Sequence, residues 1–362
     1  MLLIAGTVPV KDLPLTMGEV SAEEEFLIVN DYRIPCTQGT GAMIGAALVT
    51  NNYLKLGAPQ VLIAGDTGRG KGSREIYEYL IQRVAELSPQ VLALHYCLPD
   101  MALTRRLCGA IRRCSRKPVL IADAGSMYSA KASGLAAQFD IFTPDATEMA
   151  FLADPDATHP AYIDRYLFDT DVTQIPRLAA ATYQHQNAAK LLLVKGAIDY
   201  VVRDGDIVAT ITEPDVPALE AIGGTGDTIT GLVSAFAYAG LELHEAAIIA
   251  ARANRMAGEF ARVTPASRVR QIIDQFPGVF KALPMWSRLT MFEVDVRGFS
   301  CPIPVVRTKK AIEENPNEAV TVLVESSVSK ENISRLARSK GYSIKVEEIE
   351  DGFRLSLSPP VK

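Results

Sequence analysis

The stretch Ala221-Ile222-Gly223-Gly224-Thr225-Gly226-Asp227-Thr228-Ile229-Thr230-Gly231 decides how the larger part of this chain is read. Its glycines let backbone N–H groups come close to an anion, and the helix expected at 227–239 adds its positive end. Asp227 stands at the same mouth, where a carboxylate can take the proton of a substrate hydroxyl attacking a phosphoryl group. A glycine-rich strand-to-helix turn with a capping aspartate would read the same way, so the surroundings must decide. Outward from this stretch, short β-branched runs alternate with helical segments from residue 1 to about 263. The pattern predicts strands at 2–5, 61–64, 91–94, 119–122, 141–143, 191–194, 200–203 and 207–211. Helices are expected at 41–56, 72–87, 101–114 and 245–261 as well, with Gly57 and Gly240 as stops. Continuous apolar strands, each followed by a helix, predict an α/β fold whose parallel sheet is covered on both faces.

A second informative stretch is Val294-Asp295-Val296-Arg297-Gly298-Phe299-Ser300-Cys301-Pro302-Ile303-Pro304-Val305-Val306-Arg307-Thr308-Lys309-Lys310. Alternation through Phe292, Val294 and Val296 predicts a strand, and Gly298 permits a tight turn. A helix then begins around Pro302, where the missing N–H costs nothing. Cys301 would sit where unpaired helical N–H groups point outward, a position that favours the thiolate. Arg297, Lys309 and Lys310 are its near neighbours in sequence. A buried structural cysteine beside a proline turn is the plain alternative. Further strands are expected at 319–325, 342–348 and 353–358. A second helix runs from a Ser329 cap to Gly341, with Ile333, Leu336 and Ala337 inward.

This segment, from about 291 to the C-terminus, resembles the TusA/SirA family of small sulfur carriers. The resemblance is carried by Asp295, Arg297, Gly298, Cys301, Pro302 and Pro304. It implies a β-α-β-α-β-β two-layer sandwich. It also implies a Cys301 that bears a persulfide received from a cysteine desulfurase or another sulfur donor.

The 362 residues, 48% hydrophobic and 22% charged, suit two globular domains. They divide as 1–263, a proline-bearing linker at 264–290 (Pro265, Pro277, Pro284), and 291–362. A net charge of −5 gives no reason to expect nucleic acid as a partner. Residues 1–10 read as a first strand rather than a leader, and no apolar run is long enough to predict a membrane span. Cys36, Cys97, Cys108, Cys114 and Cys301 are too scattered for a disulfide framework, and no Cys or His spacing suggests zinc. A reducing, cytoplasmic compartment is expected. The four histidines stand apart from one another and read as surface or core residues, not ligands.

Several segments of the large domain, in order, resemble the ribokinase-like superfamily. They are Gly39-Thr40-Gly41-Ala42, Leu56-Gly57-Ala58, Val61-Leu62-Ile63-Ala64-Gly65-Asp66-Thr67-Gly68, Asp123-Ala124-Gly125, Thr143-Pro144-Asp145-Ala146-Thr147-Glu148 and Val194-Lys195-Gly196-Ala197. Within it, the Lys-Gly-Ala run, the Gly-Thr-Gly-Asp run with Gly231, and Ala257-Gly258-Glu259 look most like ADP/ATP-dependent NAD(P)H-hydrate dehydratases. That resemblance implies ATP or ADP with Mg²⁺, and Asp227 as the catalytic base. It puts Lys195, Gly223, Gly224, Thr225 and Gly226 on the nucleotide. Gly41, Asp123, Asp145 and Glu148 fall on the substrate and Mg²⁺ side, with Glu148 as the metal residue. Two departures stand out: Asp145-Ala146-Thr147-Glu148 replaces the family's His-Pro-x-Glu, and residues 65–72 look more like a sugar or small-alcohol kinase. The substrate would be hydrated NAD(P)H, or an alcohol if the domain is another small-molecule kinase. A third reading is a sulfur carrier whose large domain binds nucleotide without turnover. The oligomeric state is left open, a homo-oligomer included.

Overall fold

A computed structural model describes residues 1–157, 174–283, 292–299, 302–314, 320–349 and 351–359. The chain forms two compact units, Met1–Val279 and Phe280–Lys362.

In the large unit, β1 (Leu2–Val8) is buried at every residue, as a strand covered on both faces must be. A meander follows, made of β2 (Thr16–Glu23), β3 (Phe26–Val29) and β4 (Tyr32–Pro35). The chain then alternates through α1 (Gly39–Tyr53), β5 (Gln60–Gly65), α2 (Lys71–Leu87), β6 (Val91–His95), α3 (Met101–Arg112) and β7 (Val119–Ala122). Next come α4 (Ala124–Ala132), β8 (Ile141–Phe142), α5 (Ala146–Ala153), α6 (Ile175–Gln184) and β9 (Leu191–Val194). The unit closes with β10 (Asp199–Arg203), β11 (Asp206–Ile211), α7 (Thr225–Tyr238), α8 (Leu243–Phe260) and α9 (Val269–Ile273), and α10 (Phe276–Ala282) spans its boundary.

The sheet has the order β11-β10-β9-β8-β7-β6-β1-β5-β2-β3-β4. Strands β5 to β9, with β1 among them, pair in parallel, and both ends of the sheet are antiparallel. Alternate strand residues serve the two faces. Leu3, Leu62, Leu92 and Leu120 join one core with Ile76 and Leu80 of α2 and Leu107 of α3. On the other face α1 packs on β1 and α7, and α8 on α7 and β9. The α/β architecture is thus the one the pattern predicts.

Three features differ from expectation. The meander β2–β4 was not anticipated: β2 is mostly polar and half exposed, and becomes a strand by pairing antiparallel with β5. The 264–290 segment is not simply a linker, because it contains α9 and α10. Val269, Ile272, Ile273 and Phe276 are buried there, and α9 packs on α1 and α8. Helix α1 ends at Tyr53, and Lys55 rather than Gly57 first takes the left-handed conformation (φ 57°).

The small unit runs β12 (Phe292–Asp295), α11 (Ile303–Glu314), β13 (Val320–Val324), α12 (Ser327–Ser339), β14 (Ser343–Ile349) and β15 (Gly352–Ser358). Its sheet order is β12-β13-β15-β14, with only the β12–β13 pair parallel. Val320, Val322, Leu355 and Leu357 meet Ile312, Ile333 and Ala337 in a core of its own, giving the expected two-layer sandwich. The cap of α12 is Ser326, not Ser329: the Ser326 hydroxyl accepts from the Ser329 N–H at 3.2 Å. No helix among the described residues is long and apolar enough to cross a membrane.

Candidate active site at the strand ends

Parallel strands end on one edge of the sheet, so the residues that follow them gather there. His95 is the last residue of β6, Asp123 follows β7, Asp145 follows β8 and Lys195 follows β9. Strands β5 and β6 lie on opposite sides of β1, which opens a crevice at this edge. A cavity of about 430 Å³ lies along the same edge, beyond the ends of β6 to β9, walled in part by Asp123, Asp145, Glu148, Lys195, Gly226 and Asp227.

Asp227 lies in the first turn of α7, whose entry needs Gly224 in the left-handed region (φ 95°). Its Oδ2 accepts from the Gly39 N–H at 2.6 Å, at the start of α1, and its Oδ1 lies 3.0 Å from His95 Nε2. Asp123 is buried. Its Oδ1 caps α4 through the Ala124 N–H, while its Oδ2 accepts from Lys195 Nζ at 2.9 Å and Thr230 Oγ1 at 2.6 Å. Burial alone would raise the Asp123 pKa, but Lys195 and His95 outweigh it and hold the carboxylate well below its usual range. For Lys195 the signs reverse: burial opposes its charge, while Asp123, Glu148 and Asp227 keep it firmly protonated. Lys195 lies along the first turn of α7, with Nζ 3.6 Å from where a side chain on Gly226 would begin.

The other expected residues are placed as follows. Asp145 caps α5 in a reciprocal box: Asp145 Oδ1 accepts from the Glu148 N–H at 2.8 Å, and Glu148 Oε2 from the Asp145 N–H at 2.9 Å. Glu148 Oε1 accepts from the Tyr128 hydroxyl at 2.5 Å. Burial, then Asp123 and Asp145, push the Glu148 pKa up to about 8. Thr225 helps shape the turn by donating to the carbonyls of Leu219 and Ile222, and Gly223 lies beside Gln38. Gly41 is buried in α1 against the Pro35 carbonyl and is not part of the cavity wall. In the 65–72 region, Asp66 takes up the loop's own N–H groups from Gly68, Arg69, Gly70 and Ser73.

Sequence reading missed His95, which is fully buried yet stands inside the site. The available signal was its position as the terminal polar residue of an otherwise apolar strand. It also missed Arg255, whose guanidinium pairs with Asp199 at 2.6 Å and donates to the carbonyls of Gly196 and Ala197, pinning the loop after Lys195. Nothing near Arg255 in sequence predicts that reach. Among the described residues, His95, Asp123 and Asp227 form the group whose possible ligand atoms lie within 4.8 Å of one another; Glu148 is not in it.

In the small unit, the Asp295 carboxylate accepts from Arg297 Nη2 at 2.7 Å and from the Arg297 N–H at 3.0 Å. Those hydrogen bonds lower its pKa to about 2. The Gly298 N–H donates to Glu325 at 3.0 Å, with Gly298 in the left-handed region (φ 74°). Pro304 is buried, Pro302 is exposed, and the Arg307 guanidinium lies 4.1 Å over the Phe299 ring. Ser300 and Cys301 lie outside the described residues. The cysteines of the large unit are poor nucleophiles: burial pushes Cys36 and Cys108 up to about 11 and Cys97 to about 12, and raises Cys114 as well.

The structure defines a parallel-centred α/β domain with a polar cavity at its strand ends, joined to a small α/β sandwich. The sequence profile of the NAD(P)H-hydrate dehydratase (Carb_kinase) family matches residues 99–273, and that of sulfurtransferase TusA matches residues 292–358. An uncharacterized protein of Methanocaldococcus jannaschii, MJ1337, is 37% identical over 235 residues, covering 65% of this chain and 96% of that protein. A putative sulfur carrier of the same organism, MJ0990, is 42% identical over 71 residues, 19% of this chain and 95% of its own. The ADP-dependent (S)-NAD(P)H-hydrate dehydratase of Xanthomonas campestris pv. campestris is 29% identical over 194 residues, 51% of this chain and 61% of that enzyme. The large unit thus carries an NAD(P)H-hydrate dehydratase (Carb_kinase) domain at residues 99–273, and the small unit belongs to the TusA family.

Proposed function

We propose that the large unit is a nucleotide-dependent dehydratase of hydrated NAD(P)H and that the small unit carries sulfur on Cys301. The carrying observation is Asp227, held by both oxygens at the mouth of a polar cavity beside Lys195. The residues present suit ATP or ADP with Mg²⁺. The N–H groups of the first turn of α7 have no partner within the helix, Lys195 is a fixed cation, and the carboxylates of Asp145 and Glu148 are hard oxygen donors. A bound nucleotide would supply the phosphoryl group that turns the substrate hydroxyl into a leaving phosphate. Asp227 takes the proton from that hydroxyl, while Lys195 and the α7 amides offset negative charge. Asp145 and Glu148 would hold the metal.

The test uses the full chain with ATP or ADP, Mg²⁺ and hydrated NADH, following recovery of the reduced-cofactor absorbance and phosphate release. Asp227→Asn keeps the shape and removes the base, so turnover should fall by roughly 10²–10⁴ with nucleotide affinity nearly kept. An equal loss of affinity would make Asp227 a binding or structural residue. Turnover of simple alcohols but not of the hydrate would make the domain a kinase.

For the small unit, incubation with a cysteine desulfurase and cysteine should add sulfur to the Cys301 peptide, read by mass spectrometry. The raised thiols of the large unit should stay largely unmodified. Sulfur spread evenly over all five cysteines would refute the carrier assignment.

A further inference from the structure

His95 is fully buried, and the hydrogen-bond directions around it fix where its protons lie. Thr40 Oγ1 stands 2.7 Å from the Thr7 carbonyl, which can only accept, so the Thr40 hydroxyl hydrogen points there. Toward His95 Nδ1, 3.0 Å away, the same oxygen is therefore an acceptor, and Nδ1 carries a hydrogen. A neutral ring with Nδ1–H would turn a bare Nε2 lone pair toward two carboxylates, Asp227 Oδ1 at 3.0 Å and Asp123 Oδ2 at 3.6 Å. Something positive has to lie between them.

A metal ion is the weaker answer. Asp123 Oδ2 already accepts from Lys195 and Thr230, and its Oδ1 from Ala124. A metal there would be left with His95 Nε2 and Asp227 Oδ1, fewer protein ligands than zinc sites use, and an imidazole nitrogen is a poor donor for magnesium, which takes oxygen. A proton satisfies the geometry, and it belongs on the imidazole, the stronger base of the pair. The charges then balance, with His95 and Lys195 against Asp123 and Asp227. Among the described residues, Tyr96 is a further ionisable neighbour, its ring centroid 4.6 Å from that of His95.

We propose that His95 is a positioning residue for Asp227: a doubly protonated ring clamps Oδ1 while the Gly39 amide clamps Oδ2, so the free lone pairs of the carboxylate face the cavity. This rests on the reading of Asp227 as the base. The clamp prevents the carboxylate from rotating away from a substrate hydroxyl. Burial by itself would disfavour the charged ring, but the Asp123 and Asp227 carboxylates raise its pKa to about 9.

The first measurement needs no turnover. Long-range ¹H–¹⁵N spectra of the full chain at pH 8 should show one of the four histidines with both ring nitrogens protonated while the others are neutral. The signal is assigned by single Gln replacements of the other three. Asp227→Asn should convert that ring to the neutral form at the same pH. Four neutral rings at pH 8 would overturn the proposal, as would an Nε2 signal that moves on adding Mg²⁺ or Zn²⁺ alone. The second measurement is kinetic: His95→Gln should lower kcat about 10²-fold with the nucleotide KM within about twofold. An unchanged kcat would overturn the clamp even with the ring protonated. If hydrated NADH is not a substrate, the spectra still decide the matter, so failure of the dehydratase reading and failure of the clamp are told apart.

Discussion

Glu148 and His95 are buried groups that hold protons in the folded state more tightly than an unfolded chain would. Burial with Asp123 and Asp145 raises Glu148 to about 8, and the two carboxylates beside His95 raise it to about 9 against its burial. A raised folded pKa gives stability that is present below the unfolded value and lost as pH rises through the folded one. For Glu148 the loss runs from its ordinary value of 4.5 up to about 8, and for His95 from 6.5 to about 9. Asp123 acts oppositely, but its contribution is already complete above the usual carboxylate range and is constant here. The melting temperature of the large unit should therefore fall between about pH 6.5 and 9, and Glu148→Gln should flatten part of that slope. A flat or rising curve would show that burial and the neighbouring carboxylates do not raise these groups. At this scale the sequence named Asp227, Lys195, Asp123 and Asp145, because each sits in a local motif. The partners of His95, Tyr128 and Arg255 were not legible, because they are many residues away and reached only through the fold.

Helix α7 illustrates what one element must satisfy at once. Its N-terminus delivers Asp227, and one turn further on it lies against α1. A side chain on Gly231 would begin 2.2 Å from the Met43 carbonyl oxygen, a backbone atom that cannot move aside without shifting α1. Gly231→Ala should therefore destabilise the large unit by about 1–3 kcal/mol, read as a lower urea midpoint with an unchanged slope. Because α1 also carries Gly39, which holds Asp227, turnover should fall with stability. Wild-type stability in that variant would mean the two helices are not so close. Periodicity exposed α7 and the central strands, whose apolar runs are unbroken. It passed over α4, α5 and α6, which are short or weakly patterned, and β2–β4, whose polar residues are drawn into strand form by the neighbouring β5.

Across the whole molecule, the small unit has its own sheet and its own core, built from Val320, Val322, Leu355 and Leu357 against Ile333 and Ala337. A fragment 291–362 should accordingly unfold in a single cooperative denaturant transition when produced alone; a gradual, non-cooperative loss of structure would mean it depends on the rest of the chain. The motifs at 221–231 and 294–310 and the order of the apolar strands and longer helices were determined by sequence alone, because turn glycines, proline starts and apolar runs act through neighbours along the chain. Only the tertiary structure decided that 269–273 and 276–282 are helical, and that His95, Asp123, Lys195 and Asp227 share one hydrogen-bonded cluster. The physical reason is that parallel strands bring residues dozens of positions apart to one edge, where burial makes each charge depend on its partners.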